Sequence, residues 1–183
     1  PSAPQYSQPF KKPGIDNSNQ EIRCITGYQP RKYYTYDYTQ TPNDELRCTN
    51  ACPVFRTAEA LLNYMEACYE KNGSIDGTAD NYWRALRTRA KVDPDYTKTI
   101  AATDMTKEAE GDFGAYSHGQ LVDPTLYNIR RERRNEFIGE GMRWTDLKRW
   151  RACDQVNGYQ VEGMRYWGSV YAVSYTHLRA HET

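Results

Sequence analysis

LYNIRRERRNEFIGEGMRWTDLKRWR, residues 126–151, carries most of the structural information in this chain. It holds seven arginines, two tryptophans and three glutamates. Asp123-Pro124 precedes it, with Asp as a helix N-cap and Pro at the first helical position, where a missing N–H costs nothing. Leu126, Ile129, Arg133 and Phe137 then follow at helical spacing. Gly139 and Gly141 break the pattern, and Trp144, Leu147 and Trp150 recur every three residues as one apolar face. So many ionisable groups beside so much aromatic surface point to guanidinium stems lying on rings. Their heads would pair with Glu132, Glu136, Glu140 and Asp146. Such a network fixes a helix–helix junction and is an unusual composition for a reaction centre. The reading predicts a helix over 130–140 packed on a helix over 144–150, with Trp144 and Trp150 buried.

Outward from this stretch, the organisation changes near residue 50. Residues 1–30 hold five of the nine prolines and read as irregular or extended. Residues 28–38 hold five of the sixteen tyrosines. Tyr34, Tyr36 and Tyr38 alternate with Thr35 and Asp37, a strand pattern. Pro53 introduces a helix over 54–71, with Phe55, Ala58, Leu62, Met65 and Tyr69 at the 3.6-residue period and Gly73 as its stop. A second helix over 78–91 places Tyr82, Trp83 and Leu86 inward, and Pro94 closes it. The two read as an antiparallel hairpin. Residues 95–122 read as a long polar connection with Gly111, Gly114 and Gly119, and residues 152–173 as a mixed, aromatic strand or loop. The fold class expected is mainly α, with helical hairpins and an irregular, partly extended N-terminal segment over 1–50.

The composition bounds the function. The chain of 183 residues is long enough for one sizeable core, and its net charge is zero. No apolar run approaches the ~18 residues of a membrane span. Charge balance argues against nucleic acid, whose binding rests on phosphate neutralisation. Arg130–Arg134 tempts the opposite reading, since residues 126–151 carry eight basic and four acidic side chains. No stacking platform accompanies them, so an intramolecular Arg–Glu network is the better account.

Catalytic and metal chemistries find little support. A Ser–His–Asp arrangement needs a positioned base. Two of the three histidines, His177 and His181, lie in the last ten residues, which leaves His118 alone in a Ser117-His118-Gly119 turn. A glycosidase needs two carboxyls about 5–9 Å apart. Glu59, Glu66 and Glu70 share one helix and Glu132 and Glu136 another, but glutamates on arginine-rich helices are more often ion-paired or solvated. Cys48 and Cys52, with Cys24, Cys68 and Cys153 scattered, give no four-ligand zinc pattern. In an oxidising compartment five cysteines would suggest one disulfide plus free thiols, and Cys48–Cys52 and Cys24–Cys48 are equally open. Cys68 reads as a small core residue. No catalytic residue, metal or cofactor is expected.

Tyr33, Tyr34, Tyr36 and Tyr38 are the best ligand candidates by chemistry. Sugar rings have apolar faces and hydroxyl edges, and tyrosine offers a flat apolar face with a polar tip. The competing account is a half-buried strand whose tyrosines pack on the helices.

NIRRERRNEFIGEGMRWTDLKRWR resembles the C-terminal motif of the SusD/RagB family. FRTAEALLNYMEA, residues 55–67, resembles that family's RyAEvLLnyAEA helix, and LRTRA, residues 86–90, its vRaRAg helix end. The three motifs fall in the family's order and cover about residues 51–167. They include Arg56, Glu59, Arg133, Glu136, Trp144, Asp146, Leu147 and Trp150 as structural motif positions.

The resemblance implies a tetratricopeptide-like helical scaffold and a non-catalytic, lipid-anchored nutrient-binding protein on the outer face of the outer membrane. Its expected partners are an oligosaccharide, or another nutrient such as a peptide, and a TonB-dependent SusC-like transporter. The rivals are a carbohydrate-active enzyme domain and a generic helical interaction module. The chain starts at Pro1 and family members are longer, so it reads as a C-terminal part with its anchor and principal binding residues upstream. Residues 1–50 would end the ligand-facing insertion region and 51–173 form the helical region. SYTHLRAHET, residues 174–183, resembles translated sequencing-adapter sequence and is expected to be a non-native tail whose removal changes nothing.

Overall fold

The computed structural model of the protein describes Lys32 and residues 53–157. The strand and ligand readings at Tyr33, Tyr34, Tyr36 and Tyr38, the segment 158–173 and the tail at 174–183 all lie outside the described residues, as do Cys24, Cys48 and Cys52. Contacts partition the chain into Pro53–Tyr159 and a remainder of Pro1–Cys52 with Gln160–Thr183. The architecture below is that of the first part.

It is mainly helical. Its six α-helices are α1 (Thr57–Asn72), α2 (Gly77–Arg89), α3 (Tyr96–Ala101), α4 (Met105–Gly111), α5 (Pro124–Glu136) and α6 (Arg143–Arg149). Two-residue strands β1 (Tyr116–Ser117) and β2 (Gln120–Leu121) pair antiparallel, Tyr116 opposite Leu121. Single 3₁₀ turns cover Phe113–Ala115 and Cys153–Val156.

α1 stops at Gly73, whose left-handed backbone turns its N–H back to the Tyr69 carbonyl. Asp76 then caps α2, accepting from the Ala79 N–H at 2.7 Å. So short a connection returns α2 alongside α1, and the two pack together, with α5 on α1 and α3 on α5. Leu62, Met65, Ala79, Trp83, Ile129 and Phe137 fill the shared core, joined by Cys68 and Tyr96. Trp83 is fully buried, and its ring lies parallel to that of Tyr96 at 4.0 Å. Cys68 fills the core place read from the sequence.

Three sequence expectations need correction. First, α1 begins at Thr57, and Phe55 is 83 % exposed. Arg56 has extended backbone and no side-chain cap. Its guanidinium instead reaches Glu136 and Glu140 and lies 4.5 Å over the Phe137 ring. These long-range contacts hold residue 56 out of the helix, so Phe55 never joins the apolar stripe.

Second, residues 95–122 are not a featureless connection. Asp95 and Asp104 cap α3 and α4 by accepting from the N–H groups of Thr97 and Thr106. Helices of six and seven residues are too short to show an apolar period. The signal lay in the repeated Asp-x-Thr-Lys at 95–98 and 104–107.

Third, Trp144 is 52 % exposed, and α6 does not lay an aromatic face on α5. Steps of three residues drift by ~60° each around a 3.6-residue helix, so Trp144 and Trp150 point ~120° apart. Leu147 and Trp150 are buried in a second cluster with Ala152, Phe113 and Tyr116, while Trp144 stays outside with Lys148 5.3 Å over its ring. Trp144→Ala is therefore expected to change stability by less than about 1 kcal/mol, and Leu147→Ala to cost about 2–5 kcal/mol. Urea unfolding of the two variants checks the difference, and equal losses would contradict this packing.

Candidate functional site

The site is built on one ladder of arginines. Asp123 opens α5 by accepting from the N–H groups of Thr125 and Leu126, with Pro124 in its first turn. Leu126, Ile129, Arg133 and Phe137 are buried from there, and so are Tyr127, Asn128 and Arg130, which the periodicity did not single out. Gly139 and Gly141, both at positive φ, reverse the chain towards α6.

Every arginine of the 130–134 run faces an acid. Arg131 bonds Glu108 at 2.8 Å and lies over the Tyr127 ring. Arg134 bonds Asp112 at 2.6 Å. Arg133 Nε donates to both carboxylate oxygens of Asp146, at 2.8 and 2.7 Å, and its Nη1 donates to Asn63. Arg133 also lies 3.8 Å from Glu59. Arg130 is buried, with its nearest acid, Glu70, at 3.6 Å. A run so compensated presents no cationic face to a phosphate backbone.

The four carboxylates read as arginine partners are paired, but three find their arginines on distant segments. Glu132 takes Arg87 and the Trp83 indole, Glu136 takes Arg56 and Arg89, and Glu140 takes Arg56. Burial alone would raise the Glu136 carboxyl, but hydrogen bonds from Arg89 and Arg56 outweigh it and hold the group below the usual carboxylate range. Burial pushes the Tyr96 phenol up to about 12, helped by its bond to Asp80.

A folded-state pKa below the unfolded one gives stability that is present above the unfolded value and lost as pH falls through the folded value. Glu136 should thus add to an acid-induced loss of stability that begins below about pH 4.3. Thermal unfolding across that range should fall less steeply in Glu136→Gln than in the parent. An unchanged slope would show that this carboxyl does not govern the transition.

Asp112 is a buried hub with no counterpart in the sequence reading. It accepts from Arg134, Arg143, the Tyr127 hydroxyl and the Gly114 N–H. A side chain at Gly114 would stand 3.1 Å from both Arg143 and the Asp112 carboxylate. Its four partners, at positions 114, 127, 134 and 143, are scattered along the chain and form no sequence pattern that could have marked it.

The Arg130–Glu70 pair borders an open groove of about 540 Å³. Asn63, Ala67 and Glu70, on one face of α1, form one wall. Ser117 and His118 of the β-turn and Arg149 of α6 form the other. Glu66, Arg130 and Trp150 line it from the buried side. Glu66 accepts from both terminal nitrogens of Arg149, at 2.7 and 2.6 Å, and from the Trp150 indole at 2.5 Å. The Arg130 and Arg149 guanidiniums lie over the Trp150 ring at 4.6 and 4.9 Å. Arg130 donates to the carbonyls of Gly114 and Tyr116 and to Ser117 Oγ. Its buried Nε has no hydrogen-bond partner among the described residues. His118 holds φ 51, a left-handed conformation costing a non-glycine residue roughly 1–2 kcal/mol, with Gly119 next to it at φ 75. Its N–H donates to the Arg151 carbonyl, which pins the turn at the rim.

The structure thus brings Glu66, Glu70, His118 and Trp150 together at one groove. It leaves Arg56, Glu59, Glu136, Asp146 and Leu147 in the supporting ion pairs and core, with Trp144 at the surface. Among the described residues no cluster of His, Cys, Asp and Glu has metal-site geometry. No helix of the described residues is long and apolar enough to cross a membrane.

Short α-helices tied to one another by arginine–carboxylate pairs define a helical scaffold. The family model of the SusD family matches residues 2–177, nearly the whole chain, and the chain belongs to that family. Its proteins are non-catalytic, outer-membrane-associated lipoproteins that bind glycans and work with SusC-like transporters. Neither the curated proteins nor the solved structures gave a match.

Proposed function

We propose that this chain belongs to the glycan-capturing, non-catalytic component of an outer-membrane SusC/SusD-type uptake complex. The observation that carries the reading, besides family membership, is the state of the glutamates. Glu59, Glu66, Glu132 and Glu136 all face arginines. A general acid must keep a proton near neutral pH, and the hydrogen bonds from Arg89 and Arg56 hold the Glu136 carboxyl below the usual carboxylate range. The protein would hold an oligosaccharide by shape, stacking and hydrogen bonds and release it to a TonB-dependent transporter, with no bond broken. A lipid anchor would keep it at the cell surface. Residues 1–50 would carry the end of the ligand-facing region, with Tyr33, Tyr34, Tyr36 and Tyr38 offered to sugar faces, and 51–173 the helical scaffold.

The test is incubation of the purified protein with oligosaccharides, reading both binding and new reducing ends. Binding without cleavage is expected. Reducing ends that vanish on Glu→Gln substitution at Glu59, Glu66, Glu132 or Glu136 would overturn the assignment in favour of an enzyme.

A further inference from the structure

We propose that the groove between α1, the β1–β2 turn and α6 is a saccharide-binding site of its own, selective for uncharged sugars and reading their hydroxyl edges. This rests on the glycan-binding reading above and adds a place and a chemistry to it.

Volume is the first ground. About 540 Å³ lies within the range of small-molecule sites, and the walls are separate elements joined by a polar floor. Chemistry is the second. Asn63, Glu70, His118 and Arg149 are exposed side chains facing a common space. Between them they offer amide, carboxylate, imidazole and guanidinium groups, a mixture of donors and acceptors suited to adjacent hydroxyls. Ala67 between Asn63 and Glu70 keeps the α1 wall low.

Charge decides which sugars. Arg149 is already held by Glu66 and Asp146, and Arg130 has Glu70 as its neighbouring acid. Two cations and two anions line the groove, so no net positive charge remains to compensate a uronate or a sulfate. An acidic sugar would meet Glu70 without a free guanidinium and would lose its hydration there.

Stacking is not the mode of recognition. Trp150 is only 4 % exposed, with Arg130 and Arg149 over its ring. It serves the groove through its indole N–H, which fixes Glu66 and so the orientation of Arg149. Recognition here differs in kind from the aromatic contact offered by Tyr34 and Tyr36.

The experiment titrates the whole chain with malto-, xylo-, manno- and laminari-oligosaccharides, and with oligogalacturonides as the acidic arm. Affinity and the NMR resonance of the Trp150 indole N–H are followed. Two variants probe the groove. Ala67→Trp fills it from an exposed helical position without removing a hydrogen bond, and Glu70→Gln removes one charge from a half-exposed rim. Trp144→Ala, outside the groove, is the control. A neutral oligosaccharide is expected to shift the Trp150 indole resonance. Ala67→Trp should weaken its binding at least about tenfold and Glu70→Gln about tenfold or less, because the amide oxygen still accepts and only the strengthening by charge is lost. The control should bind as the parent does, and the oligogalacturonides should bind more weakly than the neutral sugars.

Neutral-sugar binding that survives Ala67→Trp and leaves the indole resonance unmoved overturns the groove while leaving the glycan-binding function standing. Tighter binding of the oligogalacturonides overturns the selectivity argued from charge. Absence of binding by every sugar overturns both the groove and the wider reading.

Discussion

Trp83→Ala is expected to destabilise the protein by about 3–5 kcal/mol, the range for truncating a buried tryptophan. Trp83 has no exposed surface, and it ties α2 to two other helices at once. Its ring stacks on Tyr96 at the start of α3, and its indole N–H donates to Glu132 on α5 at 3.2 Å. Truncation leaves a cavity between α2 and α3 and removes one of the two donors that hold Glu132. With typical stabilities of about 5–15 kcal/mol, such a loss approaches unfolding of the whole helical part. Trp83→Phe keeps most of the ring and loses the indole bond, so its cost should be well below that of Ala. Denaturant unfolding of both variants tests this. A loss below about 1 kcal/mol for Trp83→Ala would show that α2 and α3 do not depend on this contact.

A comparable loss, about 3–5 kcal/mol, is expected for Arg133→Ala, and it has a different origin. The Arg133–Asp146 pair is buried on both sides and is the direct polar tie between α5 and α6. Removing the arginine strands a buried carboxylate that, among the described residues, keeps Arg149 at 3.0 Å. It also takes a donor from Asn63 and a guanidinium from above the Phe137 ring. The pair itself is not expected to be worth so much, because both charges lost their hydration on burial. A double replacement, Arg133→Met with Asp146→Leu, should therefore cost less than Arg133→Ala alone. A double-mutant cycle measures this. Additive losses would mean that the two charges act independently.

Much of the local architecture was legible from residues adjacent in sequence. Asp123-Pro124 as a helix start, Gly73 as a stop, the glycines at 139 and 141 as a break, and Trp83 and Leu86 as inward positions of α2 all rest on short-range preferences. These involve capping hydrogen bonds, the fixed φ of proline and the freedom of glycine at positive φ. The crowding of arginine with glutamate likewise announced an ion-paired junction, because isolated charges cannot be buried beside so much aromatic surface. Motif spacing carried the family, and the family match over residues 2–177 agrees.

Tertiary structure decided which charges meet. Arg56 reaches Glu136 across eighty positions and Arg149 reaches Glu66 across eighty-three. No local preference encodes either partnership, since both depend on α1, α5 and α6 being brought together by core packing. The same cause explains the misreadings. Arg56 stays extended because its partners lie on another element, and Phe55 is exposed as a result. Leu147 and Trp150 turn to Phe113 and Tyr116 because α6 drifts around its axis, and Trp144 is left outside. The groove belongs wholly to this level. Its walls come from residues 63–70, 117–118 and 149, segments that share no motif, and only their convergence places a carboxylate, an imidazole and a guanidinium around one space.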